Sequence, residues 1–227
     1  MKILKILFFL SLISLTGCKK MTATPEDKKS VEEVQKFYGG YVETNKGFET
    51  QNTSSNNYFE LILKDSKLID QQPQRAISNA ANIAYIVFEN QKSAEDYDVI
   101  KTTVILPDGA AVSKSFTKKE LKEVKSIYPE LETFNSFLIS KNYKGIIAMF
   151  DTRFKPDEKT VYDAFSSMDS KMGDLKRIQF QGFEFIDDSK LGRTILMREV
   201  GERNSVFPFI NVAFNRDTKK LLNIEFP

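Results

Sequence analysis

The chain has none of the imidazole and almost none of the thiol chemistry on which many enzymes rely. Its 227 residues include no histidine, no tryptophan and a single cysteine, Cys18. Ser-His-Asp and Cys-His nucleophilic sets cannot be built from this inventory, nor can His-based zinc or copper centres. Carboxylates are what remain for acid or base work. Glu184, Asp187, Asp188, Glu199 and Glu202 gather near strand ends late in the chain, where two carboxyls at glycosidase-like separation would be the chemistry to seek. Sequence spacing does not bring any two of them together, and charged turns and strand edges account for all five. No catalytic residue is therefore assigned, and the chain is not expected to be an enzyme. Asp187-Asp188-Ser189 lacks the ordered ligand spacing of a calcium loop, and Gly39-Gly40 lacks the flanking pattern of a phosphate-cradling loop. No metal or cofactor is expected.

Aromatic residues offer a different kind of site. Phe183, Phe185, Phe207 and Phe209 fall on neighbouring strand-like segments, where they would line a pocket between a curved sheet and a helix, suited to a small apolar ligand. The competing account is that all four are core.

Charge argues against a nucleic-acid partner. The chain carries 33 Lys and Arg against 31 Asp and Glu, and setting aside Lys2 and Lys5 brings the basic count down to the same 31. A neutral body lacks the electrostatic footprint that phosphate binding requires. The densest basic run, Lys114 to Lys125, is interrupted by Glu120 and Glu123 and is expected to be a solvated helix face.

The N-terminus has the layout of a secretory signal peptide: Lys2 and Lys5, then an almost wholly apolar run from Ile6 to Leu15. As a helix, Ile6 to Gly17 reaches under ~20 Å against ~30 Å of hydrocarbon, too short to remain as a membrane span. The run closes on Leu15-Thr16-Gly17-Cys18, which resembles the lipobox of bacterial lipoproteins. That resemblance implies cleavage before Cys18 and a thioether-linked diacylglycerol on its sulfur, with a third acyl chain on the new amino group in many bacteria. One myristoyl chain binds a bilayer only marginally, at ~0.8 kcal/mol per methylene, so two or three chains suffice for stable anchoring. Lys19 rather than Asp at the next position implies, by resemblance to enteric sorting rules, a place in the outer membrane of a Gram-negative cell envelope. The competing reading is a plain secretory peptide followed by a free thiol, which in an exported chain has no disulfide partner.

Beyond the signal peptide at 1–17, residues 18–30 are expected to be the lipidated Cys and a polar, flexible tether. Residues 31–128 are expected to form an α+β domain of two hairpins, Tyr41 to Glu49 with Tyr58 to Lys64 and Tyr97 to Leu106 with Ala111 to Phe116, around a helix whose Ile77, Ala81, Ala84 and Phe88 share one face. A charged helix from Lys118 to Tyr128 closes this half. Residues 129–227 are expected to form a second α+β domain. Leu131, Phe134 and Leu138 share a helical face, and Tyr143, Ile146, Ile147 and Phe150 continue the pattern. A further helix opens at Pro156 and ends near Lys171 and Gly173. Four strands follow, at 175–186, 193–202, 205–215 and 219–226, with Pro208 marking a late start or an edge in the third.

Alternation breaks in the first of these strands. Ile178 and Phe180 fall on one face while Phe183 and Phe185 fall on the other, and a β-bulge at Gln181-Gly182 would return all four to one side and bend the strand. Helices followed by such a curved antiparallel sheet resemble the cystatin-like or NTF2-like α+β domains of extracytoplasmic proteins. The likeness spans residues 130–227 and carries no motif that transfers a functional residue.

Two functions compete on these grounds. The first is a non-enzymatic binding or interaction module, anchored through lipid so that its folded part meets an envelope protein. The second is a carrier or chaperone for a small apolar ligand. A carboxylate-dependent hydrolase is the weaker third.

Overall fold

The computed structural model describes residues 23–51, 54–91, 97–204 and 206–227, with backbone alone at 51, 54 and 188. The expected lipid attachment at Cys18 and the lipobox residues Leu15, Thr16 and Gly17 lie outside the described residues.

Helix α1, Pro25–Tyr38, begins inside the segment that the sequence suggests is tether. Its start is fixed by a reciprocal cap. Thr24 accepts from the Asp27 amide at 3.1 Å while the Asp27 carboxylate accepts from the Thr24 amide at 2.7 Å, and Pro25 occupies the first turn, where its missing N–H is not needed. Asp27 is buried, and Lys46 and the Tyr97 hydroxyl donate to it at 2.5 and 3.1 Å. Burial alone would raise its carboxyl, but the donors from Lys46 and Thr24 outweigh this and hold it below the ordinary carboxylate value. A local cap and a distant ion pair thus turn a polar stretch into an ordered helix.

After Gly39-Gly40, both at positive φ, strands β1 (Tyr41–Gln51) and β2 (Ser54–Lys64) form the first hairpin. A short helix α2 (Lys67–Gln71) and a single 3-10 turn (Pro73–Arg75) lead into α3 (Ala76–Asn90), which carries the chain across to β3 (Val99–Ile105) and β4 (Ala111–Thr117). Both hairpins appear where alternation places them. They join into one sheet in the order β1-β2-β3-β4, with β2 and β3 parallel because α3 is the crossover between them.

Helix α4 runs from Lys118 to Ile139 and passes through Pro129. The expected domain boundary near residue 129 therefore falls inside a continuous helix. Pro129 gives up one hydrogen bond, while Ile127, Leu131 and Phe134 are fully or almost fully buried on either side of it and hold the two halves of the helix on the core. Helices α5 (Tyr143–Met149) and α6 (Glu158–Met172) follow. Asp157 caps α6 through the Thr160 amide at 2.9 Å, so Pro156 precedes the helix instead of opening it. Strands β5 (Leu175–Asp188), β6 (Gly192–Arg203), β7 (Phe209–Asn215) and β8 (Leu221–Glu225) form an antiparallel meander in sequence order. The fold is α+β.

One contiguous core runs from Val34 in α1 to Leu221 in β8, so the two halves of the chain share an interior. Helix α3 is its centre. It packs on β3, β4 and β5, and Ala80, Ala81, Ile83, Ala84 and Val87 are all essentially inaccessible. A helix enclosed on several sides is apolar around most of its circumference, and small alanines let both sheets come close. Ile77, expected on the inner face, is instead 45% exposed. The β-bulge occurs where alternation requires it, with a register shift between Phe180 and Gly182. Gly182 sits at φ +136°, and a Cβ there would lie 2.0 Å from the Ser78 carbonyl oxygen of α3.

Candidate functional site

Strict alternation in β6 sorts its side chains. Ile195, Met197, Glu199, Gly201 and Arg203 are buried on one face, while Leu196, Arg198, Val200 and Glu202 are partly exposed on the other. Val200 pairs with Gln179 of β5 and Phe209 of β7, which aligns three side chains across the second face. Pro208 delays β7 until Phe209, and its carbonyl accepts from the Gly201 amide at 2.9 Å. The Arg75 guanidinium lies over the Phe209 ring. Burial, and then the neighbouring Arg198, draw the Arg75 guanidinium down to about 10.

Opposite this face stand α1, α2 and α3, and between them opens a cleft of about 640 Å³. Its apolar wall is Phe37, Leu68, Ile86, Val200, Phe207 and Phe209, and its polar groups are the amides Gln72, Asn79, Gln179 and Gln181, with Glu33 and Lys36 from α1. Glu33 accepts from the Asn90 amide at 2.6 Å. Phe207 is 58% exposed and Leu68 37%, so two large apolar side chains at this cleft face solvent.

The four phenylalanines expected to line one pocket divide. Phe207 and Phe209 line the cleft. Phe183 does not: it is core, 1% exposed, with its ring 4.9 Å from that of Phe116. Phe185 also lies outside the cleft, next to Phe183 and beneath the Arg216 guanidinium at 4.5 Å. The bulge is the reason. By moving Phe183 and Phe185 onto the inner face with Met197 and Ile195, their cross-strand partners, it separates them from the face that carries Val200 and Phe209.

Among the described side chains the carboxylates do not form a pair, and the Asp188 side chain lies outside them. Glu184 binds Arg198 at 2.8 Å and Glu202 binds Arg177 at 3.0 Å, while Asp187 stands 4.0 Å from Arg216. Glu199 is alone on the buried face, 1% exposed. Asn135 of α4 donates to its Oε1 at 2.7 Å, while Glu199 Oε2 and Asn135 Oδ1 are buried without a hydrogen-bond partner. Burial pushes the Glu199 carboxyl up to about 8, against a smaller lowering by the Asn135 amide. Arg203, also on the buried face, makes more contacts, although its Nε is buried without a hydrogen-bond partner. Arg203 donates to Asp169 at 2.5 Å and to the Gly173 carbonyl at 2.6 Å, with Lys141 and Tyr143 also on Asp169. Among the described residues no cluster of three or more Cys, Asp or Glu is placed to hold a metal ion.

Sequence reasoning passed over Phe37, Leu68, Ile86 and Val200, because they come from four elements whose docking is tertiary. Asn135 left a readable signal: it follows Leu131 by one turn, where the apolar stripe continues to Leu138. Glu199 left another, as a charged residue in the alternation Ile195, Met197, Glu199.

No family model and no curated protein matches this chain. A solved structure, that of Bdellovibrio bacteriovorus Bd1075, is similar at a TM-score of 0.35 and 9% identity, covering 82% of this chain and 75% of that one.

Proposed function

We propose that this chain is a lipid-anchored protein of a bacterial cell envelope, outer membrane by its Lys19, and that it acts as a non-enzymatic binding module. The cleft is its binding surface and a small, largely apolar molecule its ligand. The observation that carries this reading is the cleft itself. A concave space of about 640 Å³ lies within the usual range for small-molecule sites, which combine apolar walls with a few polar groups that orient the ligand. Four side-chain amides can each donate and accept, which suits a ligand with carbonyl or hydroxyl groups on an apolar frame. Exposed Phe207 and Leu68 gain by being covered. A small molecule is favoured over an envelope protein because the apolar surface is recessed instead of flat.

The anchor is supported by the Leu15-Thr16-Gly17-Cys18 sequence, and among the described residues no helix is long and apolar enough to cross a membrane. Only five residues lie between Cys18 and the capping Thr24, a reach of ~20 Å when fully extended. An anchored body would therefore sit close against the bilayer, with α1 nearest the anchor.

N-Phenyl-1-naphthylamine, an apolar fluorescent probe, tests the cleft. Bound probe is expected to brighten and blue-shift, and Phe207→Ser is expected to weaken binding about tenfold, the loss of one well-covered aromatic contact. Equal binding by wild type and variant would remove the cleft from the account. Palmitate labelling of wild type and Cys18→Ser, with membrane fractionation, tests the anchor separately.

A further inference from the structure

A second cavity, of about 340 Å³, lies between α4 and the inner face of β5 and β6. Its walls include the rings of Tyr128 and Phe180, in edge contact with each other at 5.6 Å, and the side chains of Ile178, Asn135 and Glu199. Glu132, Ser136 and Ile139, all exposed and on successive turns of α4, stand at its mouth. We propose that this cavity binds a small organic ammonium ion, whose N–H groups satisfy Glu199 Oε2 and Asn135 Oδ1 while its apolar body rests against Tyr128 and Phe180.

Four features point to that chemistry. The two buried oxygens without partners sit on side chains already joined by one hydrogen bond, and with Glu199 ionised both are acceptors that call for donors. Leaving buried acceptors unmade is costly, and a carboxylate more so than a neutral group. The cavity is lined by two carboxylates, Glu132 and Glu199, and by no Lys or Arg. Finally, the negative faces of aromatic rings attract cations. An ammonium group offers three donors and the missing charge together. A neutral alcohol offers one donor and no charge, and an anion would meet only repulsion.

Binding is coupled to a proton. Glu199 is largely protonated at neutral pH, and a cation that ionises it must displace that proton. Of the titratable groups around this cavity, Tyr128 and Glu132 come from α4, Tyr85 of α3 stacks on Tyr128 at 5.6 Å, and Glu89 of α3 is paired with Lys125 at 3.0 Å. Burial, with Glu199 and the other carboxylates, raises the Tyr128 hydroxyl, which stays neutral across the working range. The neighbours in β5 and β7 are Ile178, Phe180 and Ile210. Arg203, two residues along the same face from Gly201, is committed to Asp169 and Gly173.

Calorimetric titration of the full chain with benzylammonium chloride tests the site, with benzyl alcohol as the uncharged comparison. Benzylammonium is expected to bind about tenfold more tightly at pH 8.5 than at pH 6.5, and at least tenfold more tightly than the alcohol. Glu199→Gln, nearly isosteric, is expected to abolish that preference and the pH dependence. Ser136→Trp, a substitution at the exposed mouth, is expected to block entry without touching the buried groups. The proposal is overturned if wild type binds no benzylammonium at pH 8.5, if the alcohol binds equally well, or if either variant binds like wild type.

Discussion

Gly182→Ala is expected to lower stability by about 3–4 kcal/mol, combining a backbone strain of ~1–3 kcal/mol with a steric clash. The added Cβ would lie 2.0 Å from the Ser78 carbonyl oxygen and 2.8 Å from its carbon, both backbone atoms of α3 that no rotamer change can move. Helix α3 would have to leave β5, and with it the contacts of Tyr85 with Phe180 at 5.7 Å. Since α3 also packs on β3 and β4, the loss should be shared by both sheets in a single cooperative transition. Gly109→Ala is the control. Gly109 has a similarly positive φ, +83°, but a Cβ added there would meet nothing within 4 Å, so it should lose only the ~1 kcal/mol of backbone strain. Denaturant midpoints measured on both variants check this, and equal losses would mean that the close approach of α3 to the bulge is wrong.

Stability is expected to fall as pH rises from about 5 to 8, at up to ~1.4 kcal/mol per pH unit from Glu199 alone. The sign follows from its environment. Burial raises the folded carboxyl from 4.5 to about 8, so between these values the folded chain keeps a proton that the unfolded chain has released. This contribution is fully present below about 4.5 and is lost as pH passes through about 8. Asp27 and Asp169 act in the opposite direction and at lower pH. Burial would raise both, but ionic and hydrogen-bonding partners hold them below 3.8, so their contribution is lost only in acid. Tyr143, raised to about 12 by burial and Asp169, lies above the window. Glu199→Gln should therefore flatten the slope between pH 5 and 8 and be more stable than wild type at pH 8. Urea unfolding across this range checks it, and an unchanged slope in the variant would show that Glu199 titrates normally.

Features set by local alternation were legible in the sequence. Both N-terminal hairpins, the four-stranded meander, the bulge at Gln181-Gly182 and the late start of β7 after Pro208 all follow from periodicity or from a missing N–H. Features set by contact between distant elements were not. Thr24 and Asp27 carried a capping signal, but the reason that helix stays folded, Lys46 and Tyr97 on Asp27, is tertiary. Pro129 looks like a boundary until Leu131 and Phe134 are seen on the same core as Leu121 and Val124. Ile77 and Phe88 share a helical face in projection, yet α3 is enclosed by two sheets, so one stripe does not describe its burial. The candidate site was half legible for the same reason. Phe207 and Phe209 flank Pro208 and face the cleft together, whereas placing Phe183 elsewhere required the consequence of the bulge to be carried through to the opposite face.

Native mass spectrometry of the full chain, released from its own membranes in mild detergent, tests the central claim most directly. The spectrum should show a polypeptide beginning at Cys18 and heavier by its acyl groups, carrying a small molecule that wild type retains and Phe207→Ser loses. An unacylated polypeptide, or one that stays empty in both forms, would contradict a membrane-held binding module.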